Sequence, residues 1–382
     1  MGWQVVLAAG GPRERGRAYG AQAPARVRAS IDLYRAVFAH YTGLTWSEIV
    51  RRAGAFVPTI EAYDVELIPE IEGIAEGAGV PAEDVLAINL RTELMYGLDR
   101  RPRRTADECT AIAAAPPATA DDHVWLAQNW DWKPAASNTC VVLACAPAGR
   151  PGFVTVVEAG LLAKCGANDA GIAVGANALV SSRDRGEPGV PFHAILRRAL
   201  TSSSAEEAVD AIALGPRASS ANYLLGSADG STVDIEAIPG GPDDLHARRE
   251  PVLTHTNHFL WPRPRPFKDV GRVGSDDTLP RLARARRIGE APVDLDSIRE
   301  MLRDHERHPG SVCSHQASGY EPVENGRTIA SMIVDLTEGT MWVTQGNPCT
   351  ADYERLGVTD LIHDARHDRV VGPTIGRGEG AS

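Results

Sequence analysis

The chain has 382 residues, with 39 Lys or Arg against 50 Asp or Glu and a formal net charge of −11 at pH 7. Nucleic-acid recognition runs on a positive surface and counterion release, so this balance excludes it as the main function. With 43% apolar and 23% charged residues the composition is that of an ordinary globular protein with a large core, and no stretch approaches the roughly 18 apolar residues of a membrane span.

In chain order, the start Met1-Gly2-Trp3-Gln4-Val5-Val6-Leu7 lacks a basic leader and soon meets Arg13, Glu14 and Arg15, so no secretion signal is expected. Six cysteines without Cys-x-x-Cys spacing point to a reduced, cytoplasmic protein. The first hundred residues read mainly as helix. Val27, Ile31, Tyr34, Val37, Phe38 and Tyr41 recur at three- and four-residue steps over 24–41, and further helices are expected at 46–57, 62–78 and 81–92. The basic, proline-broken stretch 100–104 reads as an exposed linker.

Beyond it the texture becomes strand-like, with strands expected at 109–115, 123–132, 139–146, 152–158, 161–166 and 171–178. Helices return at 190–201 and 204–213, the second opened by Ser204 and Glu207 as a capping box. A hairpin 221–227/232–238, a strand 251–258, helices 278–289 and 295–304, and a hairpin 328–336/340–345 follow. The tail 371–382 is Gly-rich and expected to fray. Two blocks of strands with helices grouped around them predict an α+β protein: two stacked antiparallel sheets covered by helices.

The common phosphate-loop, dinucleotide, Gly-x-Ser-x-Gly and His-Glu-x-x-His signatures are missing. What stands out is Cys109, the first residue of the first strand after the linker, in Thr105-Ala106-Asp107-Glu108-Cys109-Thr110-Ala111-Ile112. It reads either as a small buried core residue or as a nucleophile released by cleavage before it. In the second case the new α-amine, with a pKa of about 7.7–8, serves as general base at neutral pH where a lysine does not, and no separate histidine is needed.

Several segments recur in a set order. Before Cys109 stand Ile71-Glu72-Gly73-Ile74-Ala75-Glu76-Gly77 and Leu90-Arg91-Thr92-Glu93-Leu94-Met95-Tyr96-Gly97. After Cys109-Thr110 come Gln128-Asn129-Trp130-Asp131-Trp132, Glu158-Ala159-Gly160, Asn168-Asp169-Ala170-Gly171, Gly189-Val190-Pro191 and His255-Thr256-Asn257-His258. The ordered set resembles the acyl-coenzyme A:6-aminopenicillanic acid acyltransferase (isopenicillin N acyltransferase) family. These are N-terminal-nucleophile hydrolases that cleave themselves before a cysteine. The resemblance implies a four-layer αββα sandwich, a helical pro-segment 1–108 that becomes one subunit, and a catalytic core 109–382 that becomes the other. The two are expected to remain one intertwined globule.

It further implies cleavage between Glu108 and Cys109, Cys109 as nucleophile, Asp131 as the acid that orients its amino group, and Asn257 as the side-chain donor of an oxyanion hole. Read alone, Asp131 is also an edge-strand acid and Asn257 a strand-end amide. Thr110 and Ala111 line the site through their amides or are strand filler, and Asn222 and Ser331 are candidates to touch substrate. Arg91 and Glu93 form either a surface pair or an anchor of the pro-segment. His255 and His258, three apart in a strand, face opposite sides and read as structural. Cys140, Cys145, Cys165, Cys313 and Cys349 read as core.

This sequence departs from the family at Glu108, where the fungal penicillin enzyme has Gly, at Phe259 in place of Cys, and at Asn222 where a serine aligns. Glu108 bears on the rate of cleavage and not on its site, while Phe259 and Asn222, near the expected pocket, bear on the β-lactam substrate more than on the chemistry. The expected activity is acyl transfer or amide hydrolysis through an acyl-cysteine, with a small-molecule amide or acyl-coenzyme A thioester as donor and an amine or water as acceptor. Related amide hydrolases act on β-alanyl amines and small acyl amino compounds. No metal or bound cofactor, no nucleic acid and no membrane partner is expected; coenzyme A enters only as substrate. The alternative is a catalytically silent member that binds small molecules or regulates.

Overall fold

The structure, a computed structural model, describes residues 2–98, 109–261, 266–273, 276–290 and 292–367. The expected linker 100–104, Glu108 and the tail 371–382 lie outside the described residues.

The chain opens with a strand, β1 (Val5–Gly10), followed by α1 (Pro12–Gln22), α2 (Pro24–Thr42), α3 (Trp46–Gly54), α4 (Val57–Tyr63), α5 (Leu67–Ala78), α6 (Ala82–Asn89) and α7 (Arg91–Leu98). Pro12 and Pro24 stand at first-turn positions, where no N–H is missed. Gly43, at φ 69°, ends α2 in a left-handed cap, and Thr45 then caps α3 by accepting the Glu48 N–H. The helix expected over 62–78 is broken because Asp64 turns extended and its carboxylate accepts the Glu66 N–H at 3.0 Å. The one expected over 81–92 divides at Leu90.

Helices α1 and α5 pack at backbone distance. A Cβ on Gly16 or Gly20 would strike the carbonyl oxygens of Glu70 or Ile74, and one on Gly73 or Gly77 those of Arg13 or Arg17. The Gly-x-x-x-Gly spacing on both helices is therefore a packing requirement. Arg15, buried in this seam, bonds Glu70 at 2.7 Å.

From Cys109 the strands run β2 (Cys109–Ala114), β3 (Trp125–Trp132), β4 (Cys140–Pro147), β5 (Phe153–Glu158), β6 (Cys165–Asn168) and β7 (Ile172–Ala178). Then come α8 (Phe192–Ala199), α9 (Ala205–Ala213), β8 (Ala221–Ser227), β9 (Thr232–Ala237), β10 (Leu245–Arg248), β11 (Val252–His255), α10 (Val270–Val273), α11 (Thr278–Gly289), α12 (Leu295–Leu302), β12 (Arg327–Asp335), β13 (Thr340–Gln345), β14 (Glu354–Gly357) and α13 (Val358–Arg366). One sheet has the order β1-β4-β5-β6-β7-β8-β9-β10 and the other β11-β2-β3-β12-β13-β14. Their inner faces meet, with β2 and β3 against β7 and β8. Helices α1 and α13 lie on the first sheet, and α11 and α12 cover the second around Ile112, Trp125, Ile298 and Met301. This is the αββα sandwich expected.

One pairing departs from the all-antiparallel expectation: β1 runs parallel to β4, Val5 opposite Val142 through Gly10 opposite Pro147. The segment before Cys109 thus supplies an edge strand of the first sheet. Strands β2 to β5 are buried on both faces; β4 is accordingly an almost continuous apolar run, while β3 carries the buried polar residues Gln128, Asn129 and Asp131. Among the described residues no helix is long and apolar enough to cross a membrane.

Candidate active site

Cys109 begins β2 and pairs with Trp130 on β3, while β11 flanks the other side with His255 opposite Ala111. Continuing that antiparallel register by two residues brings Asn257 alongside Cys109, and the Cys109 N–H donates to Asn257 Oδ1 at 2.7 Å. Alternation sends Cys109, Ala111 and Trp130 to the face between the sheets, and Thr110, Asn129 and Asp131 to the face covered by α11 and α12. Residues around the end of β3 and the start of β12 complete the corner: Thr328 Oγ1 donates to Asp131 Oδ1 at 2.6 Å.

Asp131 is fully buried, and among the described residues its Oδ2 has no hydrogen-bond partner. Burial pushes its carboxyl up to about 8, against the opposing pull of the Arg281 guanidinium. A buried carboxyl oxygen without a donor is costly, so this atom is a ready acceptor for a donor that arrives in the site. Burial also raises the Cys109 thiol; the Lys164 ammonium opposes that rise, as does a backbone N–H from Asp131. Lys164 itself is driven down by its own burial. It donates to the Ala176 carbonyl at 3.2 Å and faces the Phe192 ring at 4.7 Å.

Arg281 ties these groups together from α11. Its Nη1 donates to the Cys109 carbonyl at 2.8 Å and to Thr110 Oγ1 at 3.0 Å, and its Nη2 to Asn257 Oδ1 at 3.1 Å. The other end of the Asn257 amide donates one Nδ2 hydrogen to the Ala178 carbonyl at 3.0 Å, one of the two it carries.

A pocket of about 20 Å³, room for roughly one water, opens on Cys109 and is walled by Trp130, Trp132, Lys164, Phe192 and, from α7, Arg91 and Tyr96. A larger cavity of about 410 Å³ lies between α4 and α9 around Tyr63 and Arg198; neither Cys109 nor any other cysteine lines it. The wall from α7 is firmly seated. Arg91 donates to His193 Nε2 at 3.1 Å, lies 3.5 Å from Glu158 and stacks on Trp132. Glu93 Oε1 accepts from the Phe192 N–H at 2.8 Å and Ser219 Oγ at 2.7 Å. Arg91 and Glu93 are thus buried anchors and not a surface pair.

Cys109, Asp131 and Asn257 are brought to one corner. The remaining candidates are not gathered there by their side chains. Thr110 points outward to Arg281, and Ala111 packs between the sheets. Asn222 is held in the other sheet by Asp234, and Ser331 bonds the Tyr353 hydroxyl at 2.8 Å on the helix-covered face. His255 is tied to Glu236 at 2.9 Å and His258 to Thr278 at 2.9 Å. Arg281, Lys164 and Thr328 escaped the sequence reading. Arg281 had a signal: it shares the three-and-four-residue stripe of Thr278, Leu282 and Ala285, all buried. Lys164 had a compositional one, being one of three lysines in an arginine-rich chain.

Residues 118–350 match the family described as acyl-coenzyme A:6-aminopenicillanic acid acyl-transferase. Asp131, Asn257 and Arg281 fall inside that segment and Cys109 just before it. The chain is 27% identical over 349 residues to the acyl-coenzyme A:6-aminopenicillanic-acid-acyltransferase 40 kDa form of Emericella nidulans, covering 91% of this chain and 94% of that protein. Among solved structures it is similar to a penicillin V acylase from Agrobacterium tumefaciens, at 16% identity, 66% of this chain, 87% of the other and TM-score 0.39. It is also similar to a mutant of the conjugated bile acid hydrolase from Clostridium perfringens, at 12% identity, 65% of this chain, 96% of the other and TM-score 0.41.

Proposed function

Because the chain belongs to the acyl-coenzyme A:6-aminopenicillanic acid acyl-transferase family, we propose that it is a precursor that cuts itself before Cys109 and then works as a cysteine acyltransferase or amidohydrolase. The observation that carries the reading is the corner itself: a thiol, its backbone nitrogen on Asn257 Oδ1, and a buried Asp131 oxygen without a donor. Cutting the 108–109 bond turns one N–H into an ammonium with three. One keeps the bond to Asn257 Oδ1, and another supplies the donor that Asp131 Oδ2 lacks.

In the first reaction the Cys109 thiolate attacks the Glu108 carbonyl carbon, the peptide C–N bond breaks as the acyl group moves from nitrogen to sulfur, and water hydrolyses the thioester. The products are a Glu108 carboxylate and a free Cys109 amine. In turnover that amine takes the thiol proton, and the thiolate attacks an amide or thioester carbonyl. The second Nδ2 hydrogen of Asn257 stabilises the tetrahedral oxyanion, an interaction worth about 3 kcal/mol. Collapse expels an amine, which receives the proton from the Cys109 ammonium, or a thiolate. Water or an acceptor amine then takes the acyl group from Cys109.

Acyl-coenzyme A supplied with a panel of amines tests this. Free coenzyme A with acylated amine marks a transferase, and free acid with no amine adduct marks an amidohydrolase. A thiol-directed acylating probe that leaves Cys109 unmodified in the processed protein overturns both, in favour of a silent binding member.

A further inference from the structure

On the far side of the second sheet, the loop between α12 and β12 meets the loop between β13 and β14. Four side chains converge there that the chemistry at Cys109 does not use: His305, Cys313, His315 and Cys349. Each offers one ligand atom, and all four atoms lie within 4.8 Å of one another. His305 Nε2 is 3.1 Å from His315 Nε2, which is also 3.6 Å from Cys313 Sγ and 3.5 Å from Cys349 Sγ.

The separations of His315 from His305, Cys313 and Cys349 match a tetrahedron around one ion, and the remaining pairs lie within 4.8 Å. Zinc–nitrogen bonds of about 2.05 Å and zinc–sulfur bonds of about 2.3 Å put nitrogens about 3.3 Å apart and nitrogen and sulfur about 3.5 Å apart. We propose that His305, Cys313, His315 and Cys349 form a structural zinc site of the two-cysteine, two-histidine type, joining the two loops. Two sulfur and two nitrogen donors in a tetrahedron select zinc over the hard ions magnesium and calcium. Binding releases the two thiol protons to solvent, and two thiolates neutralise the divalent charge.

The surroundings are built for it. Asn347 Nδ2 donates to Cys313 Sγ at 3.4 Å and to the Ser314 carbonyl at 2.6 Å, the kind of outer bond that holds a thiolate in place. The backbone is set independently of any ion: Cys313 N donates to the Asp304 carbonyl at 3.0 Å and His315 N to the Pro309 carbonyl at 2.9 Å. Asn129 of β3 pins the same loop by donating to the Leu302 and Val312 carbonyls, both at 2.8 Å. Cys313 is buried and His305 exposed, so the ion enters from the solvent side. All four donors being protein groups, the site is closed and structural.

The test uses the full chain, expressed with zinc in the medium and purified without chelator under reducing conditions. Elemental analysis is expected to find about one zinc per chain in wild type, and less than about a tenth of that in a Cys313→Ser/Cys349→Ser double variant. Should that variant fail to fold, cobalt titrated into chelator-stripped wild type decides: a tetrahedral d–d spectrum with thiolate-to-cobalt charge transfer is expected, and Cys109→Ser is expected to keep it. Zinc retained in the folded double variant, a cobalt spectrum without thiolate bands, or a Cys313–Cys349 disulfide in the reduced preparation overturns the proposal.

Discussion

Arg281 holds the Cys109 carbonyl, Thr110 and Asn257 in one fork, so its removal leaves three buried acceptors short of a donor. Arg281→Ala is expected to lower kcat by roughly a hundredfold and to destabilise the fold by about 3–5 kcal/mol. Arg281→Lys should recover stability better than rate, since an ammonium does not reproduce a planar fork; steady-state kinetics and urea melts on the same variants separate the two. Asp131 gives a pH prediction. Its carboxyl titrates near 8 in the fold against about 3.9 in an unfolded chain. Between those values the folded chain holds a proton that the unfolded chain has lost, so stability falls as pH rises from about 4 through about 8. In an uncut Cys109→Ala background, Asp131→Asn should remove that slope, and urea midpoints at pH 5 and pH 8 measure it. Cys109, Asp131 and Asn257 were legible as residues because each sits in an ordered motif. Arg281 and Lys164 left only a buried helical stripe and a rare lysine as signals, and neither encodes the contacts across sheets and layers from which their roles arise.

At the scale of elements, legibility followed locality. Helices with a cap or a proline start, and hairpins with a tight turn, stand within a residue or two of their expected bounds, as for α2, α9 and the β8–β9 hairpin. The strand β1 was missed because its partner β4 lies far along the chain and a parallel pair has no turn to announce it. Helix α1, with two glycines and a charged face, has little apolar periodicity, since its packing rests on backbone contact with α5. That contact explains the Gly73-x-x-x-Gly77 motif, whose presence was legible and whose reason was not. Gly73→Ala places a methyl group on the Arg13 carbonyl and is expected to cost about 1–3 kcal/mol, measured by thermal or urea unfolding of the uncut Cys109→Ala chain.

At the scale of the molecule, the segment before Cys109 is threaded through the core. It contributes β1 to the first sheet, Tyr34 to Glu158 at 2.6 Å, Arg91 to the wall of the Cys109 pocket, and Glu93 as the acceptor of the N–H of Phe192 in that wall. A cut at residue 108 therefore yields fragments that should co-elute on gel filtration in native buffer and separate only in denaturant. Arg91→Ala, which leaves Glu158 buried beside one fewer charge, should cost about 3–5 kcal/mol and loosen that association, seen as fragment separation at lower urea. The same α7 wall limits the pocket to about 20 Å³, room for roughly one water, so an acyl group larger than that needs this wall to shift. The measurement that tests the account most directly is intact mass with N-terminal sequencing of the purified wild-type chain, paired with activity. The account predicts two fragments, one beginning at Cys109, with a Cys109→Ala chain that stays whole and inactive. A wild-type chain that remains uncut and fully active would contradict it.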